Sequence, residues 1–178
     1  MGEAVLDLEN EFYVDALTTT PVILKGELHK DYIILRRATV SNDMKIRHVG
    51  TFVGAGTVSL GASDAGVNCI VPDTPYNRRQ LEISSGADWV YTTAFATGTI
   101  IEIVIPIRNI VCTGVWLASS GNIDWNTGLE CAGTGSLKVH AQSGRSIGKP
   151  LCKVTDGTGD QVIPWVFYAS SVNEVVKA

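Results

Sequence analysis

The chain has 178 residues, of which 45% are hydrophobic and 18% are charged. This composition excludes a disordered chain, and 18 glycines without a regular period exclude a collagen. The net charge of −4 gives no overall basic character, so we expect no nucleic-acid partner. Val, Ile and Thr together account for 51 residues against 12 leucines, and such β-branched residues favour strands.

The first 20 residues include apolar side chains without a helical stripe, and they end in Thr18-Thr19-Thr20 before Pro21. We interpret them as an extended N-terminal arm, residues 1–20, ahead of a single β-rich domain, residues 21–178. Residues 1–24 carry five acidic groups and no Lys or Arg, which favours packing on protein over binding a genome. The candidate partner-binding residues of this segment are Glu3, Asp7, Glu9, Glu11, Phe12 and Asp15.

Beyond Pro21 the chain falls into short strand-like runs separated by turn residues. In the clearest run, 99–107, four isoleucines fall on one face, which is typical of a half-buried strand. About ten such runs predict an all-β fold, an antiparallel sandwich or barrel, with no helix and no internal repeat. The predicted strands are 22–28, 32–40, 46–53, 67–71, 89–95, 99–105, 110–117, 137–141, 150–154 and 162–168.

Arg78 and Arg79 form one of two basic pairs in the chain; the other is Arg36-Arg37. They follow Pro72 and Pro75, which predicts a surface loop. We regard both arginines as candidate contacts with a partner. A solvated loop without a partner is the alternative interpretation.

No motif predicts catalysis or a cofactor. The segment 144–148 fits the Gly-x-Ser-x-Gly pattern of α/β-hydrolases, but its surroundings resemble strand–turn–strand and all three histidines precede Ser146. The Gly54-Ala55-Gly56 sequence does not continue into a phosphate-binding loop. We therefore expect a protein that is not an enzyme.

Metal and membrane binding are not predicted either. The four cysteines are widely spaced, and Asp156, Thr158 and Asp160 lack the glutamate that completes a calcium loop. No signal-peptide pattern is evident, so we expect reduced thiols. The longest apolar run, 99–107, is too short to span a bilayer and contains Glu102.

The tryptophans divide into two groups by their neighbours. Trp116 and Trp165 lie in apolar runs and are predicted to be core residues. Trp125 lies between Asp124 and Asn126 and is predicted to be exposed or to anchor a hairpin. It is therefore a candidate partner-binding residue.

The stretch 114–168 contains Gly114-Val115-Trp116, then Asp124-Trp125, then the Gly-x-x-Ile-Gly of residues 144–148, and ends in an apolar run. It resembles the small head decoration (capsid cement) proteins of tailed bacteriophages. In many of these a Trp-Asp-like hairpin precedes a Gly-x-x-Ile-Gly segment, a Gly/Asp turn and a final hydrophobic strand. The order here is Asp-Trp, and about 110 residues precede the stretch.

The resemblance implies a virion structural protein that binds the outer surface of an icosahedral capsid and stabilises it. Its partner would be the major capsid protein, its assembly would take place in the host cytoplasm, and it would be a homo-oligomer, with a trimer as the guess. Two alternatives stay open: another β-sandwich virion component, such as a coat, tail or fibre protein, or a carbohydrate-binding module centred on Trp125.

Overall fold

The computed structural model describes residues 33–53, 55–61, 66–86, 88–140, 146–156 and 159–168. Within these residues the chain forms ten strands and one helix, which confirms the all-β prediction but not the absence of a helix. The elements are β1 (Ile33–Val40), β2 (Val49–Val53), β3 (Thr57–Leu60), β4 (Cys69–Ile70), α1 (Pro75–Ser85), β5 (Ile100–Pro106), β6 (Ile110–Trp116), β7 (Leu129–Cys131), β8 (Leu137–Val139), β9 (Gly148–Pro150) and β10 (Gln161–Phe167).

The strands close into two five-stranded barrels. Barrel 1 contains β1 to β5 in the order β1-β3-β2-β4-β5, and β5 pairs with β1 to close it. Barrel 2 contains β6 to β10 in the order β10-β6-β8-β7-β9, and β9 pairs with β10. In each barrel the first and third strands are parallel and every other pair is antiparallel. The two barrels therefore share one topology.

The shared topology extends to the residue register. A constant shift along the chain takes Gly50, Phe52 and Cys69 of barrel 1 to Leu129, Cys131 and Gly148 of barrel 2, with the same cross-strand partners. Three backbone hydrogen bonds of barrel 1 have equivalents in barrel 2. In barrel 1 the amides of Asn68, Gly61 and Ser41 donate to the carbonyls of Gly50, Val49 and Val58, respectively. In barrel 2 the amides of Ile147, His140 and Leu117 donate to the carbonyls of Leu129, Gly128 and Leu137. The described chain is thus an internal structural duplication, although the sequence analysis predicts no repeat.

The interior of barrel 1 follows the period-2 pattern of its strands. Ile101 and Ile103 of β5 are fully buried and pack with Ala38 of β1, while Ile105 is partly buried against the same cluster. Ile107 lies beyond the strand and is exposed. The predicted isoleucine face is therefore the core face, and the strand ends at Pro106, which has no N–H to donate.

The interior of barrel 2 is built around two tryptophans. Trp116 of β6 and Trp165 of β10 are fully buried, and the ring of Trp165 stacks on Phe167 with centroids 4.9 Å apart. Trp165 is accommodated by glycine: a Cβ on Gly114 would come within 2.7 Å of the indole Nε1. Both tryptophans are core residues, as predicted.

The outer face of barrel 1 contributes to the core of barrel 2. Leu35, Val104, Ile70 and Val49 form one row across β1, β5, β4 and β2. Val104 points away from the interior because its neighbours, Ile103 and Ile105, pack inside barrel 1. Val104, Ile70 and Val49 belong to the apolar cluster that also contains Trp116 and Trp165, and Leu35 packs against it. One cluster therefore joins the two barrels.

The inter-barrel junction brings the β7–β8 turn of barrel 2 onto β2 and β3 of barrel 1. The amide of Val49 donates to the carbonyl oxygen of Gly135 at 2.8 Å, and the Cys131 thiol donates to the Gly61 carbonyl at 3.2 Å. A Cβ on Gly135 would meet His48 Nδ1 at 2.6 Å and Leu60 Cδ2 at 2.7 Å. The close approach of this turn therefore depends on a glycine.

Three local predictions are wrong. Residues 75–85 form α1 rather than a loop: Thr74 caps the helix by accepting the Asn77 amide, and Pro75 occupies its first turn. Residues 89–95, predicted to be a strand of a hairpin, form turns instead. The strands β3 and β7 lie outside every predicted run.

Other predictions fall partly or wholly outside the described residues. The run 22–28 and the proposed boundary between residues 20 and 21 are among them. The four cysteines are free thiols, three of them buried and Cys152 half-buried. No helix in the described part of the chain is long and apolar enough to cross a membrane.

Candidate functional site

The candidate residues separate into three places. Arg78 and Arg79 lie on α1, and Trp125 lies in the turn that leads into β7. The acidic arm residues and Phe12 lie outside the described residues: Glu3, Asp7, Glu9, Glu11, Phe12 and Asp15. The structure therefore locates two separate candidate surfaces on the barrels, the α1 surface and the Trp125 turn.

Helix α1 is attached to barrel 1 through the buried Asn77. Its Nδ2 donates to the carbonyl oxygens of Pro72 and Glu102 at 2.8 and 2.9 Å, and its Oδ1 accepts the Glu102 amide at 2.8 Å. The Glu102 carboxylate in turn accepts the Thr74 hydroxyl at 2.9 Å. These bonds pair the backbone of β5 with the first turn of the helix and fix the direction in which α1 presents its outer face.

Arg78 belongs to a buried ionic cluster under the start of α1. Its Nε lies 2.6 Å from Asp73 Oδ1, and the buried Arg47 lies 3.3 Å from Asp73 Oδ2. Arg47 also places its guanidinium 4.1 Å from the ring centroid of Tyr91. Burial lowers the pKa of Arg47, and the charge of Asp73 partly offsets this. Arg78 is thus partly exposed, but its ion pair with the buried Asp73 gives it a structural role.

Arg79 has a different environment on the outer side of α1. It is exposed and forms a surface ion pair with Glu82, one turn along, at 2.9 Å. Such pairs contribute little to stability, roughly 0–1 kcal/mol. Ile83 follows on the helix and is 67% exposed, the largest exposure among the large apolar side chains described. The α1 surface (Arg79, Glu82 and Ile83) therefore combines two exposed charged side chains with an exposed apolar side chain.

The Trp125 turn is rigid although it lies on the surface. Asp124 Oδ1 accepts the Asn126 amide at 2.9 Å and the Thr127 hydroxyl at 3.2 Å, and Thr127 Oγ1 accepts the Asp124 amide. The hydrogen bonds from Asn126 and Thr127 lower the pKa of Asp124, so it stays ionised near neutral pH. Trp125 at the tip is 54% exposed, as predicted.

A buried carboxylate in barrel 2 was missed by the sequence analysis. Glu130 of β7 is buried, with Lys138 Nζ at 2.9 Å and His140 Nδ1 at 3.2 Å. Lys138 lies directly opposite it in the β7–β8 ladder. The pairing of oppositely charged residues across a hairpin was the available signal, but the hairpin itself was not predicted.

Ser146 is hydrogen-bonded to the backbone, and the thiols of Cys69 and Cys112 are buried. Ser146, the residue of the hydrolase-like pattern, donates to the Gly148 carbonyl at 2.9 Å in a turn. Burial raises the pKa of Cys69 to about 12 and that of Cys112 well above its usual value, which disfavours their thiolates. Among the described residues, no group of His, Cys, Asp or Glu is arranged to hold a metal ion.

Comparisons with known proteins find similarity in structure but not in sequence. No protein-family model matches the chain, and no curated protein matches it in sequence. The solved head fibre gp8.5 N base of bacteriophage phi29 is similar in fold, with a TM-score of 0.44 and 11% identity. The similarity covers 76% of this chain and 93% of that one. A similarity of this size identifies neither a family nor a function.

Proposed function

We propose that the protein is a virion structural protein that binds the outer surface of an icosahedral capsid and stabilises it. The observation that carries the proposal is the extent of the decoration-protein resemblance. Residues 114–168 include nearly all of barrel 2, from within β6 to the end of β10. The resembling residues thus belong to one barrel, because they include the whole of β7 to β10 and residues 114–116 of β6.

The duplication strengthens this interpretation for the rest of the described chain. Barrel 1 has the topology and register of barrel 2, so a fold relationship that covers one barrel extends to the other. Residues 33–106, which form barrel 1, are then a second module of the same kind. The phi29 head fibre base is itself a virion component, and the proposal does not rest on that neighbour.

The binding surfaces that we assign to this role are the α1 surface and the Trp125 turn. Exposed aromatic and apolar groups on rigid supports contribute most to protein interfaces, because little entropy is lost when they bind. Ile83 and Trp125 meet that description. The acidic arm would add contact area, at an entropic cost of roughly 1–2 kcal/mol for each residue that becomes ordered.

The experiment is co-sedimentation with capsids of the source virus that lack the protein. Wild-type protein should pellet with the particles and raise the temperature at which they release their contents. Ile83→Glu and Trp125→Ala should each weaken binding about tenfold or more. Asp43→Ala, a change at an exposed residue outside both surfaces, is the control. Deletion of residues 2–20 should weaken binding as well.

A particle that neither binds the protein nor gains heat resistance from it would overturn the proposal. Electron microscopy of native particles separates the alternatives, because a coat, tail or fibre component would be found at a different location and copy number. Retention of Trp125-containing protein by glycans, lost on Trp125→Ala, would instead assign the carbohydrate-binding function.

A further inference from the structure

The inter-barrel junction joins a turn to a face, and each has an equivalent elsewhere in the chain. The turn is the β7–β8 turn, whose Gly135 and Ser136 are buried. By the register of the duplication, Gly56 and Thr57 in the β2–β3 turn are the equivalent residues. The face consists of His48, Val49 and Leu60, and its equivalents in barrel 2 are Thr127, Gly128 and Val139.

In the described structure most of these equivalents are less buried than their counterparts in the junction, although a Cβ on Gly128 would lie 3.1 Å from Ser146 Oγ. A Cβ on Gly56 would meet nothing within 4 Å, whereas one on Gly135 would collide with His48 and Leu60. Both turn glycines have nearly the same backbone angle, φ +82° and +80°. Likewise Val49 and His48 are buried, but Gly128 and Thr127 are half-buried. Within the described residues, each copy therefore has one turn and one face of this design that the inter-barrel junction does not use.

Both unused sides carry exposed apolar groups. At the base of the β2–β3 turn, Val53, Thr57, Thr39 and Ile100 form a row of cross-strand neighbours. Val53 and Ile100, at the two ends of this row, are exposed. Trp125 lies two residues before Thr127, beside the Thr127–Gly128–Val139 face of barrel 2. The unused surfaces are thus apolar as well as geometrically equivalent to a contact that the fold already makes.

We propose that the protein associates with itself by repeating the inter-barrel junction between copies: the β2–β3 turn of one copy seats on the Thr127–Gly128–Val139 face of the next. The occupant is a second copy of this chain. In the repeated junction the Gly128 amide takes the place of Val49 and donates to the Gly56 carbonyl. That carbonyl accepts the Thr39 amide at 2.9 Å and retains a second lone pair.

The contact is heterologous, because a turn on one copy meets a face on the other. Such a contact leaves a free turn at one end and a free face at the other, so it continues until a ring closes. This inference follows from the duplication and does not rest on the proposed capsid function. Its readout is the oligomeric state of the purified full chain, without any capsid.

Two variants test it by sedimentation velocity over a range of concentrations. Gly56→Asn introduces a residue that tolerates positive φ. Its side chain would collide with the neighbouring copy, as a Cβ on Gly135 would collide with His48 and Leu60 in the inter-barrel junction. Trp125→Ser removes the apolar neighbour of the face. Wild type should self-associate, and each variant should weaken association at least about tenfold. Gly133→Asn is the matched control, because Gly133 has φ +80° and equally open surroundings.

Mixing the two variants adds a test specific to this geometry. Gly56→Asn retains an intact face and Trp125→Ser retains an intact turn, so the mixture should form one junction and give a two-subunit species. A wild type that is monomeric at all concentrations overturns the proposal, as does association that Gly56→Asn leaves unchanged. Association that appears only after deletion of residues 2–20 also overturns it, because the arm would then be the occupant of the face.

Discussion

The fit of Trp165 inside barrel 2 depends on two glycines that face its indole. A Cβ on Gly114 would come within 2.6 Å of Leu137 Cδ1 and 2.7 Å of Trp165 Nε1, and one on Gly148 would meet the Val166 carbonyl and the Trp165 ring. Neither a fully buried ring nor a strand carbonyl can move away cheaply. Gly114→Ala and Gly148→Ala should each lower the free energy of unfolding by about 2 kcal/mol or more in denaturant titrations.

Gly159→Ala is the control for both substitutions. Gly159 is exposed, an added Cβ there meets nothing within 4 Å, and its φ is not in the left-handed region. Its replacement should leave stability unchanged or raise it by about 0.4–1 kcal/mol through the unfolded state. Equal effects at the three positions would contradict the proposed packing.

His48 makes the inter-barrel junction sensitive to acid. Burial, with a smaller contribution from Lys45, lowers the pKa of His48 from 6.5 to about 4, and Asp160 partly offsets the shift. The unfolded chain therefore binds a proton below pH 6.5 that the folded chain does not bind until about pH 4. Stability from this group is complete above pH 6.5 and falls as the pH decreases through that window, by about 3 kcal/mol in all.

The measurement is the free energy of unfolding of wild type and His48→Gln between pH 7 and pH 4. Carboxylates titrate in both proteins, so the difference between the two curves isolates His48. Wild type should lose about 3 kcal/mol more than the variant over this range. Parallel curves would show that the imidazole is solvated in the folded state.

Single-residue burial was predictable where sequence neighbours decide it, and not where distant residues meet. Trp116 and Trp165 lie in apolar runs, and Trp125 is flanked by polar turn residues, so their burial or exposure follows from local sequence. The Arg47–Asp73 pair joins residues that are distant in the chain. The sequence neighbours of Arg47 and Asp73 do not predict a buried ion pair.

Among the elements, α1 depends on hydrogen bonds to β5 more than on apolar burial. Its buried residues are Asn77 and Leu81, and Asn77 satisfies two carbonyls and one amide of the protein. Asn77→Ala would remove these three buried hydrogen bonds, each of which contributes about 0.5–1.5 kcal/mol. We expect a loss of about 3 kcal/mol in the free energy of unfolding and faster hydrogen exchange along α1.

Arg79→Ala on the outer side of the same helix is the comparison. Its ion pair with Glu82 is exposed, so its loss should change stability by less than about 1 kcal/mol. If Asn77→Ala were as mild as Arg79→Ala, the attachment of α1 would have to come from elsewhere.

The predictability of each element followed from its length and its periodicity. The strand β5 has seven residues and a clear alternation, so its inner face was predicted correctly. The strands β3 and β7 have four and three residues, too few for a period to show. Helix α1 has the start signal Thr74-Pro75, but its sequence has no apolar stripe, and residues 89–95 have strand-like composition without a pairing partner.

On the scale of the whole molecule, the duplication is not evident in the sequence, because the two barrels share their cross-strand register but not the identity of the residues at equivalent positions. Gly50 corresponds to Leu129 and Cys69 to Gly148, so equivalent positions differ even in the core. The remaining sequence signal is the pair of Gly-x-Gly sequences, Gly54-Ala55-Gly56 and Gly133-Thr134-Gly135. Their equivalence needs the cross-strand pairs that only a three-dimensional structure supplies.

The shared apolar cluster makes the two barrels one cooperative unit, and Gly135 is the position where that coupling can be tested. Val104 and Ile70 of barrel 1 pack in one cluster with Trp116 and Trp165 of barrel 2, so neither barrel can unfold without exposing apolar surface of the other. Native-state hydrogen exchange should therefore give the same opening free energy for interior amides of both barrels in the wild type.

Gly135→Ala places a methyl group against His48 and Leu60 and should separate those two opening free energies. The substitution combines overpacking, about 1–3 kcal/mol, with the strain of a left-handed residue, about 1–2 kcal/mol. Gly133→Ala carries the same strain, at φ +80°, but meets nothing within 4 Å. The difference between the two variants is thus the cost of forcing the barrels apart. Equal losses, with exchange still uniform across both barrels, would mean that the junction contributes no coupling.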